Sequence, residues 1–434
     1  MSTFPISTRM TTTLALQFFQ MMRMGSAILT GILLAKTGLS TAEIGSWEML
    51  LYLGTTFTFF WVNGLLQGML PIHSKLGEAD QKEFIFNNFL LFCGIALVVF
   101  LVLIIGESWI APALTGLTQV PYFKLFCFYL LFNLPSYPVE NIYLVKEHPL
   151  RIALWGMAIF GLHLVAIFLP ILLGFGLGGG IKALVVLGFL KFLWSFRLAL
   201  NYGSLKFNPD LLKTLILFSA PLMLTTVVGN LMLLFDNWLV NWHFKDPSVF
   251  AIYRYGAREF PLALALLTAL GTSLIPNLSV LPEIGLRDLK TKSLRLMHLL
   301  FPLNILLICT SAWLFPRVFN PDFALSAPIF NIYLLTLASR VLLPASIMMA
   351  NDDSGNIFRI SILEMSVKVI LGFWFIRLWG LEGLAWSVVI SFWVEKIGLI
   401  LILELNHGIR TLDWVSWKWY LFYVSALFVS YWIQ

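Results

Sequence analysis

The residues of this chain that could do chemistry are ionisable side chains set in long apolar runs: Arg23, Glu48, Glu140, Lys191, Asp236, Arg254, Arg258, Glu259, Arg340, Glu364, Lys368, Glu395 and Lys396. Each such charge costs roughly 2.5–3.5 kcal/mol at the centre of a bilayer, so it must face a cavity or a partner. Four are arginines, always charged and forked to grip phosphate or carboxylate through two parallel bonds. Arg254 and Arg258 are spaced i, i+4, which predicts one face of one helix, where like charges repel unless an anion or acids lie opposite. Arg23 has no acid within four residues, and Arg340 is similarly alone. The set Arg23, Arg254, Arg258 and Arg340 reads as an anion-binding surface. The alternative for the 254/258 pair is neutralisation by Glu259, Asp236 or Glu48. The acids Glu48, Glu140, Asp236 and Glu259 read as coupling or charge-balancing groups.

Other clusters read more plainly. Glu364 and Lys368, i and i+4 in the favourable order, are expected to pair with each other. Glu395 and Lys396 point about 100° apart on a helix, which assigns neither a partner. Cys93, Cys127 and Cys309 each sit inside an apolar run, giving neither a disulfide framework nor a metal cluster. The run Gly174–Gly180 has neither P-loop nor dinucleotide spacing and reads as an external hairpin. Asn351–Gly355 lacks the spaced ligands of a calcium loop and reads as a cytoplasmic turn with a helix cap. No metal and no cofactor are expected.

The elements that must hold these charges follow from composition. Of 434 residues 59% are hydrophobic and 12% charged, with a mean hydropathy of +0.88. That charged fraction is about half of ordinary soluble usage, which excludes a cytosolic enzyme, a disordered chain and a secreted disulfide scaffold. Twelve apolar stretches are long enough to cross roughly 30 Å of hydrocarbon: 11–36, 44–69, 86–105, 121–145, 150–172, 181–199, 212–240, 249–281, 296–315, 324–350, 356–378 and 381–404. Trp417–Ile433 is a possible thirteenth, spanning or lying in the interface. The first span is too long for a cleaved signal and contains Arg23, so it is kept as a helix. Pro135, Pro138, Pro221, Pro261, Pro276 and Pro344 fall inside spans, where each frees backbone groups that neighbours must satisfy.

With the N-terminus cytoplasmic, fourteen Lys and Arg fall in cytoplasmic segments and five outside, the asymmetry expected of an inserted chain. The net charge of +6 and pI near 9.1 then reflect topology and require no nucleic-acid partner. The polar run 201–213 divides the spans into a six-helix lobe, 1–200, and a second, 214–406, followed by a segment 407–434. Six spans per lobe give a parallel repeat about an axis along the membrane normal. A shift of about 206 residues sets Ile44-Gly45-Ser46-Trp47-Glu48 against Phe250-Ala251-Ile252-Tyr253-Arg254 and brings Pro71 near Pro276.

Two passages carry a family resemblance. Leu29–Leu76 holds the polar turn Lys36–Gly45 and a long helix closing near Pro71. Ser219–Leu281 holds Ala220-Pro221, Phe235-Asp236-Asn237, Phe250-Ala251-Ile252-Tyr253 and Ile275-Pro276-Asn277-Leu278. The layout resembles the polysaccharide (O-antigen type) flippases of the multidrug, oligosaccharidyl-lipid and polysaccharide exporter superfamily. The resemblance implies an all-α membrane protein of two six-helix lobes around a central cavity lined by Arg23, Arg254, Arg258 and Arg340, with Lys191. It implies no enzymatic activity but transfer of a polyprenyl-diphosphate-linked oligosaccharide across a bacterial inner membrane by a monomer. The implied partners are that substrate, membrane lipids and other polysaccharide-assembly membrane proteins. One alternative is a cation-coupled multidrug exporter of the same superfamily, whose coupling acid usually lies in the first helix; here residues 1–42 hold no acid. A second is a membrane glycosyltransferase or polymerase, which needs larger external loops than these.

Overall fold

The computed structural model describes residues 11–434, the side chain of Val228 excepted. Among the described residues there are helices and no β-strand. Eight helical segments among the described residues are long and apolar enough to cross a membrane, and the chain is a multi-pass membrane protein. One of the eight, 149–202, is two helices joined in a hairpin. The chain forms two compact units: the first runs to Leu234 and adds Asn241–Phe250, and the second takes Phe235–Val240 and Ala251–Gln434.

The first unit begins with α1 (Thr12–Lys36) and α2 (Thr41–His73). Ser40 and Glu43 form a capping box at the start of α2, satisfying two of its free backbone donors. Gly45 on α2 sits against Pro247, where a Cβ would stand 1.8 Å from the carbonyl oxygen, so only glycine fits. After α3 (Glu78–Thr115), the expected span 121–145 is broken into α4 (Phe123–Asn133), a 3₁₀ turn at Leu134–Ser136, and α5 (Val139–Val145). Pro135 and Pro138 cannot donate to the ladder, and Ser195 Oγ takes up the Pro135 carbonyl at 2.7 Å. Next, α6 (Pro149–Pro170) and α7 (Gly176–Tyr202) pack antiparallel, with Trp155 stacked on Trp194. Their turn uses Gly174 and Gly176 at φ +86° and +61°. The hairpin loop expected over Gly174–Gly180 is thus shorter: Gly178 to Gly180 are helical, and Gly180 lets α7 approach the Ile167 carbonyl. Asn208 caps α8 (Pro209–Phe244), which passes through both units.

The expected helix 249–281 is two helices, α9 (Pro247–Gly256), whose residues to Phe250 belong to the first unit, and α10 (Pro261–Val280) of the second. Pro261 opens α10, and Gly256 closes α9 where a Cβ would meet the Ser326 carbonyl at 2.6 Å. Arg258 and Glu259 therefore lie in the break, and Arg254 and Arg258 are not one turn apart on a shared helical face. Arg258 Nε instead donates to the Arg254 carbonyl at 3.1 Å. After α11 (Pro282–Val318), the span 324–350 is likewise interrupted, into α12 (Ser326–Leu334), α13 (Leu337–Arg340) and α14 (Pro344–Ala350). The hydroxyls of Thr336 and Ser339 take carbonyls there. Asp353 caps α15 (Ser354–His407), which folds back on itself at Trp379 and Gly380. Asn351–Gly355 is the turn-and-cap expected. After α16 (Thr411–Trp414), α17 (Trp417–Trp432) lies along α11, with Tyr423 stacked on Phe301 and Tyr420 bonded to the Ala338 carbonyl.

Candidate functional site

Each unit gathers buried charge: the first unit's charges line an open volume, whereas Glu259 and Arg340 of the second line a cleft of only about 10 Å³. Along α1, Phe19, Arg23, Ser26 and Ala27 share one face at helical spacing; along α6, Trp155, Ile159 and His163 do the same. These faces, with Lys191 of α7, Glu140 of α5 and the broken segment around Asn133 and Ser136, line a cavity of about 240 Å³. The size suits a compact head group rather than a whole drug-sized ligand, which usually needs about 300–1,000 Å³.

The proline break makes the cavity polar. It swings Asn133 inward, and its side-chain oxygen accepts a hydrogen bond from Lys191 Nζ. Ser136 and Tyr137 follow on the same wall, and Phe19 meets Phe160 edge to face at 5.3 Å. Arg23 is exposed at the cavity, whereas Glu140 is mostly covered, and its Oε2 finds no hydrogen-bond partner among the described residues. Two basic side chains thus share the volume with one carboxylate. The arrangement can hold an anion between a forked guanidinium and an ammonium, with aromatic rings on the flanks.

The second unit holds its charges in pairs. Asp236 Oδ1 lies 2.8 Å from Lys368 Nζ, the side chains only 6% and 1% exposed. The pairing of Lys368 with Glu364 is therefore corrected: the partner comes from α8, and Ser387 Oγ accepts a further bond from Lys368 at 3.0 Å. Above the pair, Tyr253 and Tyr333 join hydroxyls at 2.9 Å. Arg340, alone by sequence, is held in two parallel bonds by Glu259, at 3.0 and 2.8 Å, with its guanidinium 4.0 Å over Phe392. The break at 257–260 is what frees Glu259 to reach it. Glu395 and Lys396, left without partners by sequence, pair with each other at 2.9 Å. Arg258 lies over the Tyr255 ring at 5.4 Å, Arg254 lies in the last turn of α9, and Glu48 is buried on α2.

Of the residues singled out from sequence, Arg23, Lys191 and Glu140 come together in the first unit, while Asp236, Glu259 and Arg340 are tied into ion pairs of the second. Sequence reasoning passed over His163, Asn133, Tyr129 and Tyr137, all at the cavity. A signal existed for two of them. His163 is a lone polar ring inside an apolar helix, and Asn133 stands two residues before Pro135, the first of a proline pair that had to break its span.

No protein-family model matches this chain, and no curated protein matches it in sequence. Solved structures match it in shape over nearly its whole length. The lipid II flippase MurJ, in an inward closed conformation, superposes with a TM-score of 0.68 at 15% identity, covering 96% of this chain and 97% of that one. An inward-facing multidrug resistance MATE transporter of the MOP superfamily gives 0.61 at 14%, covering 96% and 99%. A MOP superfamily transporter from Pyrococcus furiosus, described as having a binding pocket of reversed polarity, gives 0.57 at 14%, covering 95% and 94%. The fold is that of MOP superfamily transporters, the all-helical membrane architecture expected from the span pattern.

Proposed function

We propose that this chain moves an anionic, lipid-linked oligosaccharide across a bacterial cytoplasmic membrane, N-terminus inside, in the assembly of a cell-surface polysaccharide. The observation that carries the reading is the first unit's cavity, where Arg23 and Lys191 face a volume containing one carboxylate. Hydrocarbon rejects the diphosphate and sugar of such a substrate and accepts its tail. A cationic, water-accessible cavity lowers the barrier for the head while the tail stays in lipid. Arg254 and Arg258 are the proposed contacts supplied by the second unit, and Arg340 joins only if the head displaces Glu259. Alternating access of the two units carries the head between leaflets. Among Glu48, Glu140, Asp236 and Glu259, the proposed coupling acid is Glu140, because Asp236 and Glu259 are already held by cations.

The test is export of surface glycan alongside membrane protein level. A charged hydrogen bond is worth about 1.5–3 kcal/mol, so Arg23→Gln should lower export roughly 10- to 150-fold at normal protein level, with Arg23→Lys intermediate. Full export from Arg23→Gln and Lys191→Met combined would overturn the proposal.

A second reading, cation-coupled drug export, draws on one observation: the unpartnered carboxylate oxygen of Glu140 inside the cavity. It predicts the opposite ranking. Glu140→Gln would abolish resistance to cationic drugs, and Arg23→Gln would spare it.

A further inference from the structure

Beside the cavity, and separate from it, the α6–α7 hairpin carries an open groove of about 650 Å³. Its cations are Arg151, in the first turn of α6, and Arg197, near the end of α7; none of its described lining residues is acidic. Arg151 donates to the Tyr202 hydroxyl, Arg197 lies 5.7 Å over the Trp194 ring, and Lys146 stands 5.9 Å over Tyr202. From Arg151 the floor continues along α6 through Leu154 and Ala158, one and two turns on, both exposed. The ring of Trp155 lines this groove and the cavity alike.

The position along the hairpin matters. Nineteen residues of helix separate Arg151 from Pro170 at the turn, about 29 Å at 1.5 Å per residue. That is the thickness of the hydrocarbon core, so with the turn at one surface the arginines sit at head-group level on the other. In the proposed orientation that surface is cytoplasmic. The groove therefore presents cations where phosphates lie and an apolar, aromatic channel where a chain descends. An ordinary phospholipid would match this charge equally well, but it gives no account of the shared Trp155 wall leading inward to Arg23.

Building on the flippase reading, we propose that this groove is the entry station of the lipid-linked substrate: Arg151 and Arg197 hold its diphosphate and Leu154 and Ala158 carry its polyprenyl chain before the head passes Trp155 into the cavity. Neither arginine is needed for the cavity itself. Entry and translocation should therefore separate by mutation.

The test uses the full chain in phosphatidylcholine nanodiscs and a polyprenyl diphosphate bearing a photoactivatable diazirine on its tail, with adducts mapped by mass spectrometry. The wild type and Arg23→Gln should both label peptides covering 151–158 and 194–202. Labelling there should fall at least tenfold in the double variant Arg151→Gln/Arg197→Gln. It should fall equally in Ala158→Trp, which fills the open groove, leaves both arginines in place and disturbs no buried contact. Undiminished groove labelling in both variants, or its complete displacement by equimolar phosphatidylglycerol, would overturn the entry station. Labelling confined to peptides around Arg23 would also overturn it while leaving the flippase reading intact; no labelling at either place would overturn both.

Discussion

The buried pair Asp236–Lys368 shows what a single charge demands of its surroundings. Removing one partner leaves the other uncompensated, a loss of about 3–5 kcal/mol, whereas replacing both with apolar residues of similar volume is near neutral. Lys368→Met and Asp236→Asn should each lower the melting temperature in detergent markedly. The double Asp236→Leu/Lys368→Met variant should recover most of the loss, and additive losses would show that the two groups act independently. The pair also explains what a sequence reveals at this scale. That Arg23 and Lys191 must face something polar follows from the cost of charge in hydrocarbon. Which partner each charge takes does not, because Glu259 and Arg340 are 81 positions apart and meet only through two helix breaks. For Lys368, the neighbour one turn away lost to a carboxylate brought in by another helix.

At the scale of elements, the prolines were the informative residues. Pro135, Pro138, Pro261 and Pro344 stand at breaks, whereas Pro221 and Pro276 lie within continuous helices, and the residue type alone does not distinguish the two outcomes. At the break after α4 Ser195 Oγ takes up the Pro135 carbonyl, and at the break after α9 Gly256 packs closely against the Ser326 carbonyl. Gly380, at φ 59° and ψ −134°, occupies backbone space nearly closed to other residues. Gly380→Ala should therefore cost about 1–3 kcal/mol, read as a lower melting temperature. The two ends of α15 are joined outside the membrane, where His407 Nε2 lies 2.9 Å from Asp353 Oδ2. The bond to His407, then that from Asn356, holds the Asp353 carboxyl below its ordinary range. Its charged form is thus the one favoured by folding. The stability it contributes is complete above the ordinary Asp range and is lost as pH falls through the lowered folded value. Hydrogen exchange at residues 351–358 should quicken on acidification in the wild type. In Asp353→Asn it should be fast throughout; a pH response unchanged in that variant would assign it elsewhere.

For the whole molecule, composition and span length already dictate a membrane protein of many helices. The same reasoning cannot say where one compact unit stops, because α8 crosses the boundary as one continuous helix and carries no mark of the unit to which each turn belongs. Reporter fusions at Lys82 and Lys290 should be active on the cytoplasmic side, and periplasmic activity at either would reverse the proposed orientation. The fit of Gly45 beneath Pro247 bears on how the chain is made. A ribosome adding about 5–20 residues per second needs roughly 10–40 s to travel from the first to the second. Throughout that interval the nascent first unit stands with a vacant seat, its early helices already emerged and the piece that completes them still untranslated. Any pause in translation before that point exposes an unfinished surface to quality-control proteases, so Pro247, in the Asn241–Phe250 segment that returns to the first unit, acts as the latch on that unit's biogenesis.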